Sequence, residues 1–352
     1  MHPNSGIWKY KSTFWVQLLL MGLLLGLTIV TSSRLGYMQI GFDEVVRIIW
    51  AKLFGQPALL SGMDEAWPVV VIDVRLPRIL TAAIVGGGLA VSGAVFQGIL
   101  LNPLADPYTL GISAGAAFGA SIAIWLNISF MAFFSVPLFA FLGAVTTLFF
   151  VIFLSSGAEG LSSNNLILSG IIVAAILSAG ISFIKYIADE QVAVIIFWLM
   201  GSFAAKTWTD VWLTALCAGG GALICLYYAR DLNLISLGHR SAASLGVDTK
   251  TVPLILLICA SLIAAVCVSV SGIIGFVGLL VPHMVRFVTG PDNRKLLPIS
   301  FLVGAVLLLC ADTVTRALLP SEIPIGVLTA LIGGPFFCII FYKRQRAFKV
   351  GQ

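Results

Sequence analysis

The sequence predicts an all-α integral membrane protein of about ten transmembrane helices. Two observations carry that fold class. Hydrophobic residues make up 59% of the 352 residues and charged residues only 10%, whereas a soluble domain carries roughly a quarter charged residues. So apolar a chain has no water-compatible surface, and lipid must be its solvent. Secondly, long apolar runs recur along the whole chain, with polar residues gathered between them.

A hydrocarbon core of about 30 Å takes about 20 residues of helix. Runs that qualify lie at 13–33, 76–100, 108–126, 133–154, 165–187, 208–229, 251–271, 273–289, 297–317 and 324–342. The first, Phe14 to Thr31, is followed by others of equal strength, so it reads as a membrane helix and not as a cleaved signal. A run at 192–204 is too short to span and reads as an interfacial or re-entrant helix. The largest hydrophilic stretches are 34–67 and 230–250. The chain therefore reads as one transmembrane domain, 1–352.

Orientation follows from lysine and arginine. With both termini cytoplasmic, the inner segments hold 12 of the 20 basic residues but only five of the 15 acidic ones. The termini, 1–12 and 343–352, and the loop 230–250 then face the cytoplasm.

Glycine is frequent, at 35 residues, and Gly86, Gly87, Gly88 and the series Gly111, Gly115, Gly119 suit close helix approach. Val91-Ser92-Gly93 with Pro103 echoes Val270-Ser271-Gly272 with Pro282 at identical spacing, a faint hint of an internal repeat. The six cysteines all sit in apolar runs and read as small buried hydrophobes. The three histidines are too scattered for a metal cage, so no metal site is expected.

Four polar or Pro/Gly-punctuated blocks interrupt the apolar pattern. They are Asp73-Val-Arg-Leu-Pro-Arg78; Asn102-Pro-Leu-Ala-Asp-Pro107 with Leu110-Gly-Ile-Ser-Ala-Gly-Ala116; Leu232-Asn-Leu-Ile-Ser-Leu-Gly238 with Ala243-Ser-Leu-Gly-Val247; and Gly272-Ile-Ile-Gly-Phe-Val-Gly-Leu-Leu-Val-Pro-His283 with Arg286, Asp312-x-x-x-Arg316 and Glu322-Ile-Pro-Ile-Gly326. In this order and spacing the chain resembles the FecCD-type permeases, the membrane subunits of importers for iron–siderophore complexes, haem and cobalamin.

The resemblance implies the type II ABC importer architecture: ten helices per subunit and a homodimer with its pore on the dimer axis in the inner membrane. Two ATPase subunits dock from the cytoplasm, and a periplasmic binding protein delivers the chelate. By the same resemblance, Arg75, Arg78 and Arg316 receive acidic residues of the binding protein, for which guanidinium forks are suited. Asp312, at i, i+4 from Arg316, can hold that arginine in place. Asn102 and Leu104 form a cytoplasmic gate, and Ser163 and Asn164 match a second gate region. The segment Gly238, His239, Arg240, Ser241, Ala242, Ala243, Ser244, Leu245 and Gly246 corresponds to the helix that couples to the ATPase. Two departures stand out: His239 replaces a glutamate common in the family, and Leu101 replaces a basic residue.

The chain has no G-x-x-x-x-G-K-[ST] phosphate loop, so ATP and Mg belong to the partner and this subunit is expected to hold no cofactor. An ion-gradient-driven secondary transporter is the alternative, but the spans lack the acidic or histidine relay that proton coupling needs. A membrane enzyme would need a clustered nucleophile, base or metal site, and none is evident. Iron–siderophore ranks first as cargo on family frequency, then cobalamin, then haem.

Overall fold

A computed structural model of the chain describes residues 5–36, 38, 40–128, 135–157, 160–317 and 322–350. The side chains of 5–13, 161, 239, 340, 341 and 343–350 lie outside the described residues. Among the described residues, fourteen helices follow one another. They are α1 (Ser5–Arg34), α2 (Phe42–Phe54), α3 (Ala66–Ile99), α4 (Ile112–Trp125), α5 (Ser135–Ser155), α6 (Ser163–Ile187), α7 (Val192–Leu199), α8 (Trp208–Tyr227), α9 (Ala229–Ile235), α10 (His239–Ser244), α11 (Thr251–Ser271), α12 (Val277–Thr289), α13 (Asn293–Ala317) and α14 (Ile325–Val350). A two-residue ladder, Ser156–Gly157 with Gly160–Leu161, closes the turn between α5 and α6.

Among the described residues, seven helices are long and apolar enough to cross a membrane, and three shorter apolar ones (Ile112–Trp125, Val277–Thr289, Ile325–Ile339) complete the ten runs read from the sequence. The short run after α6 forms α7, whose Ile195 is buried against α4 and α6. The hydrophilic stretch 34–67 contains an element the sequence reading left out. Helix α2 is amphipathic and buries Val45, Ile48 and Ala51, and the first two pack with Val71, Ile72 and Leu76 of α3. For this reason α3 starts ten residues before the apolar run, through a π-helical turn at Val70–Arg75.

Helix α3 is the axis of the fold. Of its most apolar window, 89% is buried, against 22% for α6. It packs on α11, α12 and α13. Glycine permits those contacts. A Cβ on Gly86 would lie 2.3 Å from the Gly304 carbonyl oxygen, and one on Gly304 would lie 2.4 Å from that of Gly86. A Cβ on Gly93 would lie 1.7 Å from the Gly278 oxygen. Gly115 and Gly143 join α4 to α5 in the same reciprocal way. Small residues that let backbones touch are the usual cement of helices in lipid, where the hydrophobic effect offers no preference for protein over acyl chain.

The echo between Val91-Ser92-Gly93 and Val270-Ser271-Gly272 does not reflect equivalent structure. Gly93 lies in the interior of α3, whereas Gly272 ends α11 at φ +72°. The break it opens runs to Phe276, itself at φ +67°. Backbone groups freed by such a break must find partners within the protein. Here Ser202 N–H donates to the Ser271 oxygen at 2.8 Å, while Ile325 and Gly326 N–H donate to the Gly201 and Met200 oxygens at 3.2 and 3.0 Å. The end of α7, the break after α11 and the start of α14 therefore satisfy one another.

Candidate functional site

Polar groups of interest gather at the two opposite ends of α3. At its first end, Arg78 meets Asp312 of α13 and Glu322, which precedes α14. Arg78 Nε lies 3.1 Å from both Asp312 carboxylate oxygens, and Nη2 lies 2.9 Å from Oδ1. Nη1 and Nη2 lie 3.0 and 3.2 Å from the two Glu322 oxygens. One guanidinium thus holds two carboxylates in two forks, which are strong, geometrically specific contacts. Asp312 also lies 3.5 Å from Arg316 Nε, the i, i+4 pair the sequence predicted.

The three arginines differ in exposure and task. Arg75 is buried and donates to the carbonyl oxygens of Ser33 (2.6 Å), Arg34 (3.1 Å) and Met38. Arg316 donates to the carbonyls of Ser32 and Leu35. The last four carbonyls of a helix lack intrahelical partners, and cations are favoured at that end. Arg75 and Arg316 together therefore cap the C-terminus of α1. The sequence reading assigned them no such task, and α1's end at Arg34 beside two distant arginines left no local signal of it. Arg78 remains, its side chain 15% exposed, beside a Glu322 that is 53% exposed.

At the other end of α3, Leu101 has φ +51°, and the chain turns where the two prolines predicted. The Asn102 side-chain oxygen accepts the Leu104 N–H at 3.0 Å, an Asx turn. Leu104 is exposed. Asp106 caps the turn Pro107–Leu110 by accepting the Thr109 N–H at 2.9 Å, and Tyr108 donates its hydroxyl to the Ile274 carbonyl at 2.6 Å. The turn is thereby tied to the break after α11. Thr109 and Leu110 also sit against Gly170 of α6, which brings the Asn102–Leu104 turn to the same end as Ser163 (half-buried) and Asn164 (exposed).

Helix α10 lies at this end too, between Gly238 (φ +102°) and Gly246 (φ +87°). Its C-terminus closes as a Schellman motif: Val247 N–H donates to Ala242 O at 3.1 Å and Gly246 N–H to Ala243 O at 3.0 Å. Ala242 is fully buried, while Arg240, Ser241, Ala243, Ser244 and Leu245 are exposed. The platform beneath is α9, whose Leu232 and Ile235 are buried. Asn233 fastens it by donating to Asp292 at 2.7 Å and accepting the Asn293 N–H at 2.8 Å. The Asp292 carboxyl is held below the usual carboxylate range, first by its bonds from Arg294 and then by that from Asn233. Sequence reasoning missed this clamp, although Asn233 sits inside the third block.

Among the described residues, no three His, Cys, Asp or Glu side chains are grouped to hold a metal ion.

Comparison with known proteins finds similar chains over nearly the whole length. A metal-chelate type ABC transporter solved in an inward-facing conformation superposes with a TM-score of 0.81 at 36% identity, covering 93% of this chain and 98% of that one. The molybdate import system permease of Haemophilus influenzae is 40% identical, covering 92% of this chain and 94% of the relative. The cobalamin import system permease of Halobacterium salinarum is 42% identical over 82% and 77%. The hemin transport system permease of Yersinia pestis is 37% identical over 93% and 96%. Residues 22–343 match the FecCD transport family, and the chain belongs to that family.

Proposed function

We infer that this FecCD permease, a multi-pass membrane subunit of an ATP-binding cassette importer, moves a bulky metal chelate from periplasm to cytoplasm across the inner membrane. We infer that it works as a homodimer driven by two separate ATPase subunits. The observation that carries this reading is the near full-length likeness to permeases of such importers. The arrangement of the ends supports it: an arginine–carboxylate cluster at one and a short, exposed, rigidly mounted helix at the other.

The arginine end is the periplasmic face in this reading, because the charge tally places the basic loops and α10 in the cytoplasm. Arg78 is the docking arginine with a partly exposed guanidinium, and Arg75 and Arg316 act there chiefly by holding the end of α1 beside it. Helix α10 contacts the ATPase through Arg240, Ser241, Ala243, Ser244 and Leu245. Asn102, Leu104, Ser163 and Asn164 form the cytoplasmic gate. Helix α6 exposes Leu168, Ile171, Ile172 and Ile176, and none of its exposed residues is charged, which suits a smooth pore wall. Specificity then resides in the binding protein. ATP and Mg are bound by the ATPase subunits, and this chain holds no cofactor and has no hydrolytic site of its own.

The relatives named above are permeases of import systems for molybdate, cobalamin and hemin, so cargo in this family extends to oxyanions. An iron chelate stays first for this chain, then cobalamin and haem. The test is uptake into proteoliposomes holding the permease and its ATPase. Uptake that requires ATP and the binding protein supports the reading. Uptake driven by an ion gradient without the ATPase overturns it in favour of a secondary transporter.

A further inference from the structure

We propose that Glu322 occupies the outer fork of Arg78 as an internal stand-in for a partner's carboxylate, and that a carboxylate of the docking binding protein displaces it. This rests on the docking role given to Arg78 above.

The geometry separates a permanent partner from an exchangeable one. Arg78 uses Nε and Nη2 for Asp312 and Nη1 and Nη2 for Glu322. Asp312 is 1% exposed and shared with Arg316. A carboxylate so buried cannot leave its cations without a large desolvation cost. Glu322 is 53% exposed and makes both of its described bonds to Arg78. The half-exposed Glu322 is rehydrated as it leaves, which holds the net strength of its fork to the upper part of the range for exposed pairs, about two- to fivefold, so another carboxylate can take the position. A pocket of about 160 Å³ beside the fork, lined in part by Arg78, Ser202, Asp312 and Glu322, gives an incoming acidic side chain room to enter.

The exchange has a readout inside the chain. Glu322 lies three residues before Ile325, whose N–H donates to Gly201, and α14 starts there. Releasing Glu322 frees the approach to α14 while the Arg78–Asp312 fork stays intact. Docking is thus reported to α14, and α3 and α13 are left undisturbed.

The test titrates the cognate binding protein, loaded with its cargo, onto the complete importer in nanodiscs. Glu322→Gln removes the competitor and is expected to tighten docking about two- to fivefold. It also steepens the salt dependence, because the native exchange swaps one carboxylate for another while the variant adds a new ion pair. Arg78→Lys keeps the charge but loses the fork, and weakens docking in both backgrounds. Unchanged or weaker docking by Glu322→Gln, with Arg78→Lys still weakened, overturns the exchange alone. Docking that ignores Arg78→Lys and Arg78→Ala overturns the docking role as well, and the exchange with it.

Discussion

Gly246→Ala isolates one physical term at the proposed coupling helix. Gly246 holds φ +87° at the end of α10, and a Cβ built there meets nothing within 4 Å. The substitution therefore introduces no clash, only the cost of a left-handed residue with a side chain. That cost is about 1–2 kcal/mol. A shift of this size changes a local equilibrium by roughly 5- to 30-fold. It falls on a six-residue helix that is far too short to persist without its caps. The closing pair of bonds, Val247 to Ala242 and Gly246 to Ala243, is the element that loosens. The expected result is faster amide exchange in 239–247 with unchanged exchange in α3 and α13. ATP hydrolysed per substrate imported should rise, with global thermal stability almost unaltered. Gly246→Asn should fall between the two, since asparagine tolerates this region better. Faster exchange in 239–247 with native coupling in Gly246→Ala would refute the claim that α10 must stay closed to transmit motion.

Three further substitutions probe the frame. Gly93→Ala drives a methyl to 1.7 Å from the Gly278 oxygen, a backbone atom that cannot turn aside. It should cost 1–3 kcal/mol or more (about the usual overpacking range) and lower the thermal midpoint in detergent. Gly219→Ala in α8 is the control: its Cβ meets nothing within 4 Å, and the midpoint should hold or rise slightly. Arg75→Ala strips the carbonyls of Ser33, Arg34 and Met38 of a donor. A loss of about 1–3 kcal/mol is expected, read as a lower midpoint and proteolytic nicking after α1.

Much of this architecture was legible because lipid imposes strict rules. The ten apolar runs could only be helices, and the prolines at 103 and 107 and the glycines at 238 and 246 punctuated them where the structure does. Helix α2 escaped notice because its apolar residues recur over only 13 positions within a charged stretch. The tasks of the arginines were illegible for a different reason. Arg75 caps carbonyls 37 to 42 residues away and Arg78 finds its carboxylates 234 and 244 residues away. No local pattern encodes such pairings. The clamp by Asn233 on Asp292, 59 residues apart, is hidden in the same way. The faint repeat misled because identical tripeptides served opposite ends, close packing at Gly93 and helix termination at Gly272.

The two proposed working surfaces are joined by a strut. Helix α3 carries Arg75 and Arg78 at one end and, at the other, Gly98 against Leu232 of the α9 platform. Helix α13 carries Asp312 and Arg316 at one end and Asn293, bound by Asn233, at the other. The two helices touch backbone to backbone at Gly86 and Gly304, where no side chain can yield. Such a pair cannot bend piecewise, so motion imposed at α10 should reach the arginine cluster as a rigid-body shift. Helix α14 is attached differently, through backbone bonds to Gly201 and Met200 and through Phe276 lying on Gly333. Spin labels on α3 and α13 should therefore keep one separation through the nucleotide cycle, while labels on α3 and α14 change theirs. A changing α3–α13 distance would show that the strut itself deforms, and the assignment of moving and fixed parts would be reversed.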